Sequence, residues 1–143
     1  QYGKSDKFYL WVDRRVEFGA VAKVLMAAGN VGAKRVSFGV PPGHPLPGLE
    51  ATGIEGSFKI GSALPSLRDT DILLRVYSDG TIRGSNQETL DDATLGSMLR
   101  QAGGHSRPIY ICPDSLSRWS STIRLLTSAH ITNSDIILMS GSC

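Results

Sequence analysis

The segment Tyr9-Leu-Trp-Val-Asp13 recurs as Tyr110-Ile-Cys-Pro-Asp114, 101 residues further along the chain. Identities between the copies are few, but the apolar pattern continues without a gap for about thirty residues. A duplicated unit has to preserve this spacing, because the spacing decides which side chains are buried. The sequence therefore predicts two related structural units. The aligned pairs are Phe18 with Trp119, Val24 with Leu125, Leu25 with Leu126, Ala28 with Ala129 and Val36 with Ile137.

Each unit has the pattern of a strand, a helix and a second strand. An apolar segment ends at the aspartate, and Phe18 or Trp119 then begins a stretch with apolar residues at helical spacing. A short apolar segment follows in both copies, at 35–40 and at 136–139. We expect two β-α-β units related by a pseudo-two-fold axis, with Phe18 and Trp119 both facing the core.

The second unit has additional elements before its β-α-β part. The apolar pattern of residues 71–77 predicts a strand. Ser78-Asp79-Gly80 is typical of a tight turn, and residues 81–84 are predicted to form the returning strand. Thr89 predicts the N-cap of a helix that ends at Gly103-Gly104. The order of the second unit is therefore β-β-α-β-α-β. Such alternation predicts an α+β fold, in which helices cover one face of a mixed β-sheet.

The chain divides into three parts on its composition. Residues 1–40 form a partial first repeat, residues 41–70 a linker rich in proline and glycine, and residues 71–143 a complete second repeat. The stretch 41–48 has four prolines and two glycines, which interrupt both helices and strands. Within the linker, Ser57-Phe-Lys-Ile60 alternates apolar and polar residues and predicts a short strand at the edge of the sheet.

Composition and charge exclude several classes of protein. Lysine and arginine number 15 against 13 acidic residues, and a net charge of +2 is too small and too dispersed for a nucleic-acid partner. No run of eighteen apolar residues is present that could cross a membrane. The chain begins at Gln1 rather than methionine, and we expect further residues to precede it.

Few side chains suggest chemistry. His44, His105 and His130 are scattered, and no pair has the spacing of metal ligands on one helix face. No serine lies in a nucleophile motif, and no glycine-rich stretch has the lysine of a phosphate loop. We therefore expect no catalytic residue, no metal and no cofactor. Cys112 falls within a predicted strand, where we expect a buried free thiol.

Two types of charged residue follow the duplicated strands. Asp13 and Asp114 stand at strand-to-helix turns, where a carboxylate accepts main-chain N–H bonds, and we expect a structural role for both. Arg14 and Arg15 are candidate contacts for an anionic ligand or partner, such as a peptidoglycan stem carboxylate. The alternative for the two arginines is a solvated basic turn.

The duplicated pattern resembles the periplasmic domain of the ExbD/TolR biopolymer-transport family. There, too, a strand ends in aspartate, and an aromatic-glycine pair like Phe18-Gly19 begins a helix. An Ala-Gly and a basic residue then precede the next strand, as they do between 28 and 35. Leu64-Pro65 and the hairpin at 77–82 are similar to the family's preceding segment. The resemblance covers residues 7–40 and about 63–141, with Glu17 and Arg118 where the family usually has proline.

The resemblance implies a component of an ion-driven inner-membrane complex that binds envelope proteins or peptidoglycan and catalyses nothing. Family members have an N-terminal transmembrane helix, which this sequence lacks, and through it they contact an ExbB/TolQ-like membrane protein. The resemblance implies a location on the periplasmic side of the inner membrane. Domains of this family tend to dimerise, so the resemblance also implies a homo-oligomer. The alternative is a small periplasmic or cytosolic α/β ligand-binding domain or enzyme unrelated to transport.

Overall fold

The computed structural model describes residues 7–10, 12–13, 15–38, 54–61, 66–67, 71–85, 87–104, 108–131 and 135–140. The strands within these ranges are β1 (Lys7–Leu10), β2 (Arg35–Phe38), β3 (Ile54–Gly61), β4 (Ile72–Val76), β5 (Ile82–Arg83), β6 (Pro108–Pro113) and β7 (Asp135–Met139). The helices are α1 (Phe18–Asn30), α2 (Asp92–Gly104) and α3 (Trp119–Ile131). The first unit is thus β-α-β, and the second is β-β-α-β-α-β, as predicted.

All seven strands belong to one mixed sheet. Their spatial order is β1-β2-β3-β7-β6-β4-β5. The pairs β1–β2, β3–β7, β6–β7 and β4–β6 are parallel, whereas β2–β3 and β4–β5 are antiparallel. Because β3 is antiparallel to β2 and parallel to β7, the two β-α-β units run in opposite directions on either side of β3.

The three helices pack on one face of this sheet, which confirms the predicted α+β arrangement. Apolar side chains from α1, α2 and α3 share a single buried cluster with one face of the strands. A smaller cluster of Leu73, Cys112 and Met139 lies on the opposite face. Strands alternate their side chains between faces, so both clusters draw on the same strands. The helix-covered face is therefore the principal core of the molecule.

Reciprocal hydrogen bonds join the beginnings of α1 and α3. The Phe18 N–H donates to the Ser117 carbonyl (2.8 Å), and the Trp119 N–H donates to the Val16 carbonyl (2.7 Å). Each atom in one bond has its counterpart 101 residues away in the other, and Glu17 and Arg118 form an antiparallel bridge between them. An exchange of equivalent bonds between antiparallel units is the arrangement that a local two-fold axis produces.

Aromatic rings fill the core where the units meet. Phe18 and Trp119 are both buried, with 3% and 0% of their surfaces exposed, as the duplicated pattern predicts. The Trp119 ring lies across the boundary, with its centroid 4.5 Å from that of Phe38 on β2. The Phe38 ring in turn lies 6.1 Å from that of Phe58 on β3. One continuous aromatic contact therefore links the first unit, β3 and the second unit.

The strand predicted at 57–60 exists, but its predicted position at the edge of the sheet is wrong. β3 extends over Ile54–Gly61 and lies in the middle of the sheet, between β2 and β7. It connects the two units, because their own strands β2 and β7 do not pair with each other. Gly61 fits this central place: a Cβ there would lie 2.6 Å from the Met139 Sδ atom. The alternation at 57–60 indicates a strand but carries no information about its neighbours.

The alignment of the two units also has to be shifted by one residue after the helices. In the first unit Val36 pairs with Phe8. In the second unit Ile136, not Ile137, pairs with Ile109, the residue equivalent to Phe8. Val36 and Ile136 both belong to the principal core, whereas Ile137 packs on the opposite face. The connection after α3 is therefore one residue shorter, and Val36 corresponds to Ile136. A one-residue slip reverses the facing of every side chain in a strand.

The start of α2 differs slightly from the prediction. Thr89 forms a bridge with Arg83 instead of capping the helix. The cap is Asp91, whose Oδ1 accepts the Thr94 N–H at 2.7 Å. This bond, with a second contribution from the Thr94 side chain, holds the pKa of Asp91 below its ordinary value of 3.8. The acidic cap suits the positive end of the helix.

Candidate functional site

A cleft of about 490 Å³ lies where the two units meet at one end of the sheet. Its floor is formed by the carboxyl ends of the parallel strands β4, β6 and β7, and one wall by residues 18–26 of α1. Outside the carboxyl ends of parallel strands is where open α/β sheets bind ligands. The lining residues are Phe18, Ala22, Met26, Arg75, Val76, Tyr77, Cys112, Pro113, Asp114, Ser115 and Ser140.

The contact of α1 with the turn at 114–117 closes the cleft on one side. The Gly19 N–H donates to the Ser115 carbonyl at 2.8 Å. A Cβ at position 19 would lie 3.1 Å from that oxygen and 3.3 Å from the Ser115 Cβ. Glycine therefore permits the approach that positions Phe18, Ala22 and Met26 along the wall.

Tyr77 is held in place at the end of β4. Its hydroxyl donates to the Gln87 Oε1 atom at 2.7 Å. The Arg83 guanidinium lies over its ring, with Cζ 4.5 Å from the centroid, in a cation–π contact. Two fixed contacts on one side chain make Tyr77 a rigid part of the cleft.

The β4–β5 hairpin is ordered by its turn carboxylate. Asp79 Oδ1 accepts the Thr81 hydroxyl at 2.6 Å and the Thr81 N–H at 3.0 Å. These bonds, with a smaller contribution from the charge of Arg83, hold the pKa of Asp79 below its ordinary value of 3.8. Gly80 has a φ of 86°, which a glycine adopts without strain. The turn thus fixes β5, and with it Arg83, next to Tyr77.

The duplicated aspartates make equivalent turn contacts. Asp13 Oδ1 accepts the Arg15 N–H at 2.9 Å, and Asp114 Oδ1 accepts the Leu116 N–H at 2.8 Å. The carbonyl oxygens of both aspartates also accept an N–H from three residues further on, each at 3.0 Å. Two Asx turns therefore lead into α1 and α3. Only Asp114 of the pair lines the cleft.

Of the two candidate arginines, only Arg15 falls within the described ranges, and Arg14 lies outside them. The Arg15 side chain is 68% exposed and forms an ion pair with Asp13, from Nη2 to Oδ2 at 3.0 Å. Its Nε also donates to Asp13 Oδ1 at 3.0 Å. Arg15 is absent from the lining of the cleft. The guanidinium of Arg15 therefore supports its own turn.

Cys112 is buried, but it is disulfide-bonded rather than a free thiol, which corrects the expectation from the sequence. The other cysteine of the sequence is Cys143, which lies outside the described residues. Cysteine content alone did not predict the bond, since two cysteines 31 positions apart (112 and 143) have no characteristic spacing. The disulfide places a covalent link beside the cleft.

The sequence did not single out Arg75, on β4, or Tyr77, directly after β4, as residues of the cleft. Their position at the carboxyl end of a strand could have indicated them, since such residues gather at one edge of a parallel sheet. That prediction requires knowing that β4, β6 and β7 are parallel neighbours, and the sequence does not show this.

In the part of the chain that the structure describes, no group of three or more potential metal ligands occurs, and no helix is long and apolar enough to cross a membrane.

A second exposed surface belongs to the first unit, on the flank away from β3. β1 is the terminal strand of the described sheet, whereas its counterpart β6 is flanked by both β7 and β4. Val24 on α1 is 44% exposed, whereas the equivalent Leu125 on α3 is 1% exposed. In the second unit, α2 contacts α3. The flank formed by β1 and the exposed face of α1 is named the open flank below.

Comparison with known proteins does not assign the chain to a family. No protein-family model matches the chain, and no curated protein is significantly similar to it.

Proposed function

We propose that the chain is the periplasmic domain of an ExbD/TolR-like component of an ion-driven inner-membrane complex, and that it acts by binding envelope proteins or peptidoglycan. The observation that carries the proposal is the tandem arrangement itself. Two strand–Asp–turn–helix–strand units share one sheet and exchange equivalent bonds, Phe18 to Ser117 and Trp119 to Val16. These are the units on which the resemblance to that family rests.

The disulfide at Cys112 supports the proposed location. Disulfides persist in the oxidising periplasm and are rare in the reducing cytosol. As part of the same proposal, a transmembrane helix N-terminal to residue 1 anchors the domain and contacts an ExbB/TolQ-like membrane protein. Co-purification of that membrane protein with the full-length gene product tests this part.

The open flank is the proposed docking place for an extended segment of an envelope protein. The second unit provides the model for the occupant, since β4 lies parallel to β6 and α2 covers α3. A partner strand parallel to β1 would occupy the equivalent place and would bond to the main-chain groups on the outer side of β1, where no other described strand pairs with it. An apolar side chain of the partner would then cover Val24.

The test is a pull-down with purified peptidoglycan and with purified envelope proteins. Val24→Lys introduces a charge on the open flank, and Asn30→Lys introduces the same charge at an exposed position about 120° further round α1. We expect Val24→Lys to weaken protein binding roughly tenfold or more, and Asn30→Lys to leave it within about twofold. Equal binding by both variants would remove the open flank from the proposal.

The second candidate function is a small α/β ligand-binding domain or enzyme, and the cleft beside Tyr77 favours it. A screen for hydrolase activity with the same preparation separates the two functions. Hydrolysis that a single substitution in the cleft abolishes, without binding to peptidoglycan or envelope proteins, would overturn the proposed function.

A further inference from the structure

Arg75 leaves the sheet on the face away from the helices. Its neighbours Leu74 and Val76 both belong to the helix-covered core. Because side chains alternate along a strand, the Arg75 side chain lies on the other face, where Arg75 pairs across the sheet with Cys112 of the smaller cluster. Arg75 is only partly exposed. Among the hydrogen bonds, ion pairs and ring contacts of the described residues, none involves its guanidinium.

Arg83 extends from the same face, directly opposite Arg75 in the antiparallel β4–β5 pair. Opposed residues of such a pair have their Cβ atoms about 5 Å apart, and like charges there are destabilising. The Arg83 guanidinium lies over the Tyr77 ring, and its buried Nε atom has no hydrogen-bond partner. A buried donor without an acceptor costs free energy. The two arginines therefore combine an unbalanced charge with an unmatched donor.

Gln87 adds a third donor beside the same ring. Its Oε1 atom accepts the Tyr77 hydroxyl at 2.7 Å, so the NH2 group of its amide is left to donate elsewhere. Gln87 has a φ of 67°, in the left-handed region that residues other than glycine seldom adopt. A turn holds it there, since the Gln87 N–H donates to the Gly84 carbonyl at 3.0 Å. Strained backbone of this kind is concentrated at functional sites.

The carboxylates of the described residues do not neutralise this group of donors. Asp79 acts on Arg83 through its charge, but its Oδ1 atom already accepts both donors of Thr81. Among the residues that the structure describes, no carboxylate forms an ion pair with Arg75 or Arg83. The two guanidiniums and the amide therefore present more donors than the surrounding residues accept, and an anion from outside the chain would match them.

We propose that Arg75, Arg83 and Gln87 bind a phosphate group, and we name these three residues the phosphate site. A phosphate monoester has three terminal oxygens that accept strong, charge-assisted hydrogen bonds. A carboxylate has two, which a single guanidinium fork occupies. Arg83 is held by the Tyr77 ring, whereas Arg75 has no described contact to give up when it closes on the anion. The inference does not depend on the proposed function, and no covalent step is involved.

The probe is inorganic phosphate, compared with acetate at the same pH and ionic strength. Binding is followed by titration of main-chain amide NMR signals in the folded chain. We expect a dissociation constant on the order of millimolar for phosphate, as is usual for so small a ligand, and shifts concentrated at 75–77, 83 and 87. We expect acetate to bind roughly tenfold or more weakly, since it leaves donors of the site unmatched. Equal affinity for the two anions would overturn the proposal.

Arg75→Gln tests the residue, and Arg124→Gln on the exposed surface of α3 is the matched control. We expect the first variant to lose roughly tenfold or more in affinity for phosphate, and the second to bind as the original chain does. If Arg75→Gln does not fold, the comparison of phosphate with acetate decides the question alone. Unchanged affinity in a folded Arg75→Gln variant would overturn the proposal.

Thermal melts give a second readout of the same site. Arg75→Gln removes one of two opposed like charges, so without phosphate we expect it to melt no lower than the original chain. A bound anion stabilises only a chain that binds it, so phosphate should raise the Tm of the original chain and of Arg124→Gln by more than that of Arg75→Gln. An equal rise in all three would mean a general effect of the salt and would contradict the site.

Two further arms identify the source of the phosphate. Glycerol 3-phosphate represents a soluble phosphate ester, and vesicles of phosphatidylcholine with and without phosphatidic acid represent a lipid headgroup. Binding of either that Arg75→Gln weakens and Arg124→Gln does not supports the proposal and names the source. Binding that both variants weaken equally would show only a general attraction of anions to basic residues, and that result, or no binding of either, would overturn the proposal.

Discussion

The duplicated positions are best judged residue by residue. Phe18 and Trp119 are both buried, and Leu25 and Leu126 are both fully buried. The amide donors of Phe18 and Trp119 exchange bonds with the opposite unit, so each ring begins its helix at the same point of the local symmetry. A duplicated aromatic residue here does two things, since it fills the core and holds the units together.

Truncating either ring should therefore be costly. We expect Phe18→Ala and Trp119→Ala each to lower the free energy of unfolding by about 3–5 kcal/mol, the loss typical of removing a buried aromatic ring. Leu116→Ala is the control, because Leu116 is 60% exposed, and it should cost less than about 0.5 kcal/mol. Urea unfolding followed by fluorescence or circular dichroism measures all three. A cost near zero for both ring truncations would contradict the packing described here.

Acid should weaken the β4–β5 turn through Asp79. The folded pKa of this carboxyl is lowered, chiefly by the Thr81 hydroxyl, so its ionised form stabilises the fold. That contribution is present above the ordinary value of 3.8 and is lost as the pH falls through the lowered folded pKa. We expect Asp79→Ala to be less stable than the original chain at neutral pH, with the difference shrinking as the pH falls below 3.8. Thermal melts across this range provide the measurement, and Thr81→Ala should reproduce the loss in part.

At the scale of elements, equivalent helices have different surroundings. α3 is covered by the sheet on one side and contacts α2 on another, whereas α1 has no described counterpart of α2. The consequence is visible in one aligned pair, since Leu125 is buried and Val24 is half exposed. The same apolar pattern therefore produces a core position in one unit and a surface position in the other.

This difference predicts unequal costs for equivalent substitutions. Leu125→Ala should lower the free energy of unfolding by about 2–5 kcal/mol, because it leaves a cavity in the core. Val24→Ala should change it by less than about 1 kcal/mol, because the side chain is already partly in water. Chemical denaturation of the two variants under identical conditions makes the comparison. Equal losses would mean that α1 is covered as α3 is.

For the whole molecule, the central strand and the disulfide both join distant parts of the chain. β3 pairs with β2 of the first unit and β7 of the second, and the Lys59 ammonium lies 3.5 Å from an Asp135 carboxylate oxygen across the second junction. The Ser140 N–H donates to the Gly61 carbonyl at 2.8 Å just beyond these strands. The two units consequently form one sheet.

Reduction of the disulfide should destabilise the molecule as a whole. We expect a reducing agent, or Cys112→Ala, to lower the free energy of unfolding by about 2–4 kcal/mol, since the cross-link restricts the unfolded chain. Alkylation before and after reduction, read by mass spectrometry, establishes the state of Cys112. Full alkylation of Cys112 without reduction would contradict the bond and would remove its support for a periplasmic location.

The sequence by itself determined the order of elements and the local turns. Helical spacing after Phe18 and Trp119, apolar strand segments and the two turn aspartates depend on contacts within a few residues, which a pattern records directly. The tertiary structure alone decided the central position of β3, the correspondence of Val36 with Ile136 and the meeting of Arg75, Tyr77 and α1 around one cleft. These features depend on which strands become neighbours. Strand pairing joins residues far apart in the chain, and the spacing within one segment carries no record of its partner.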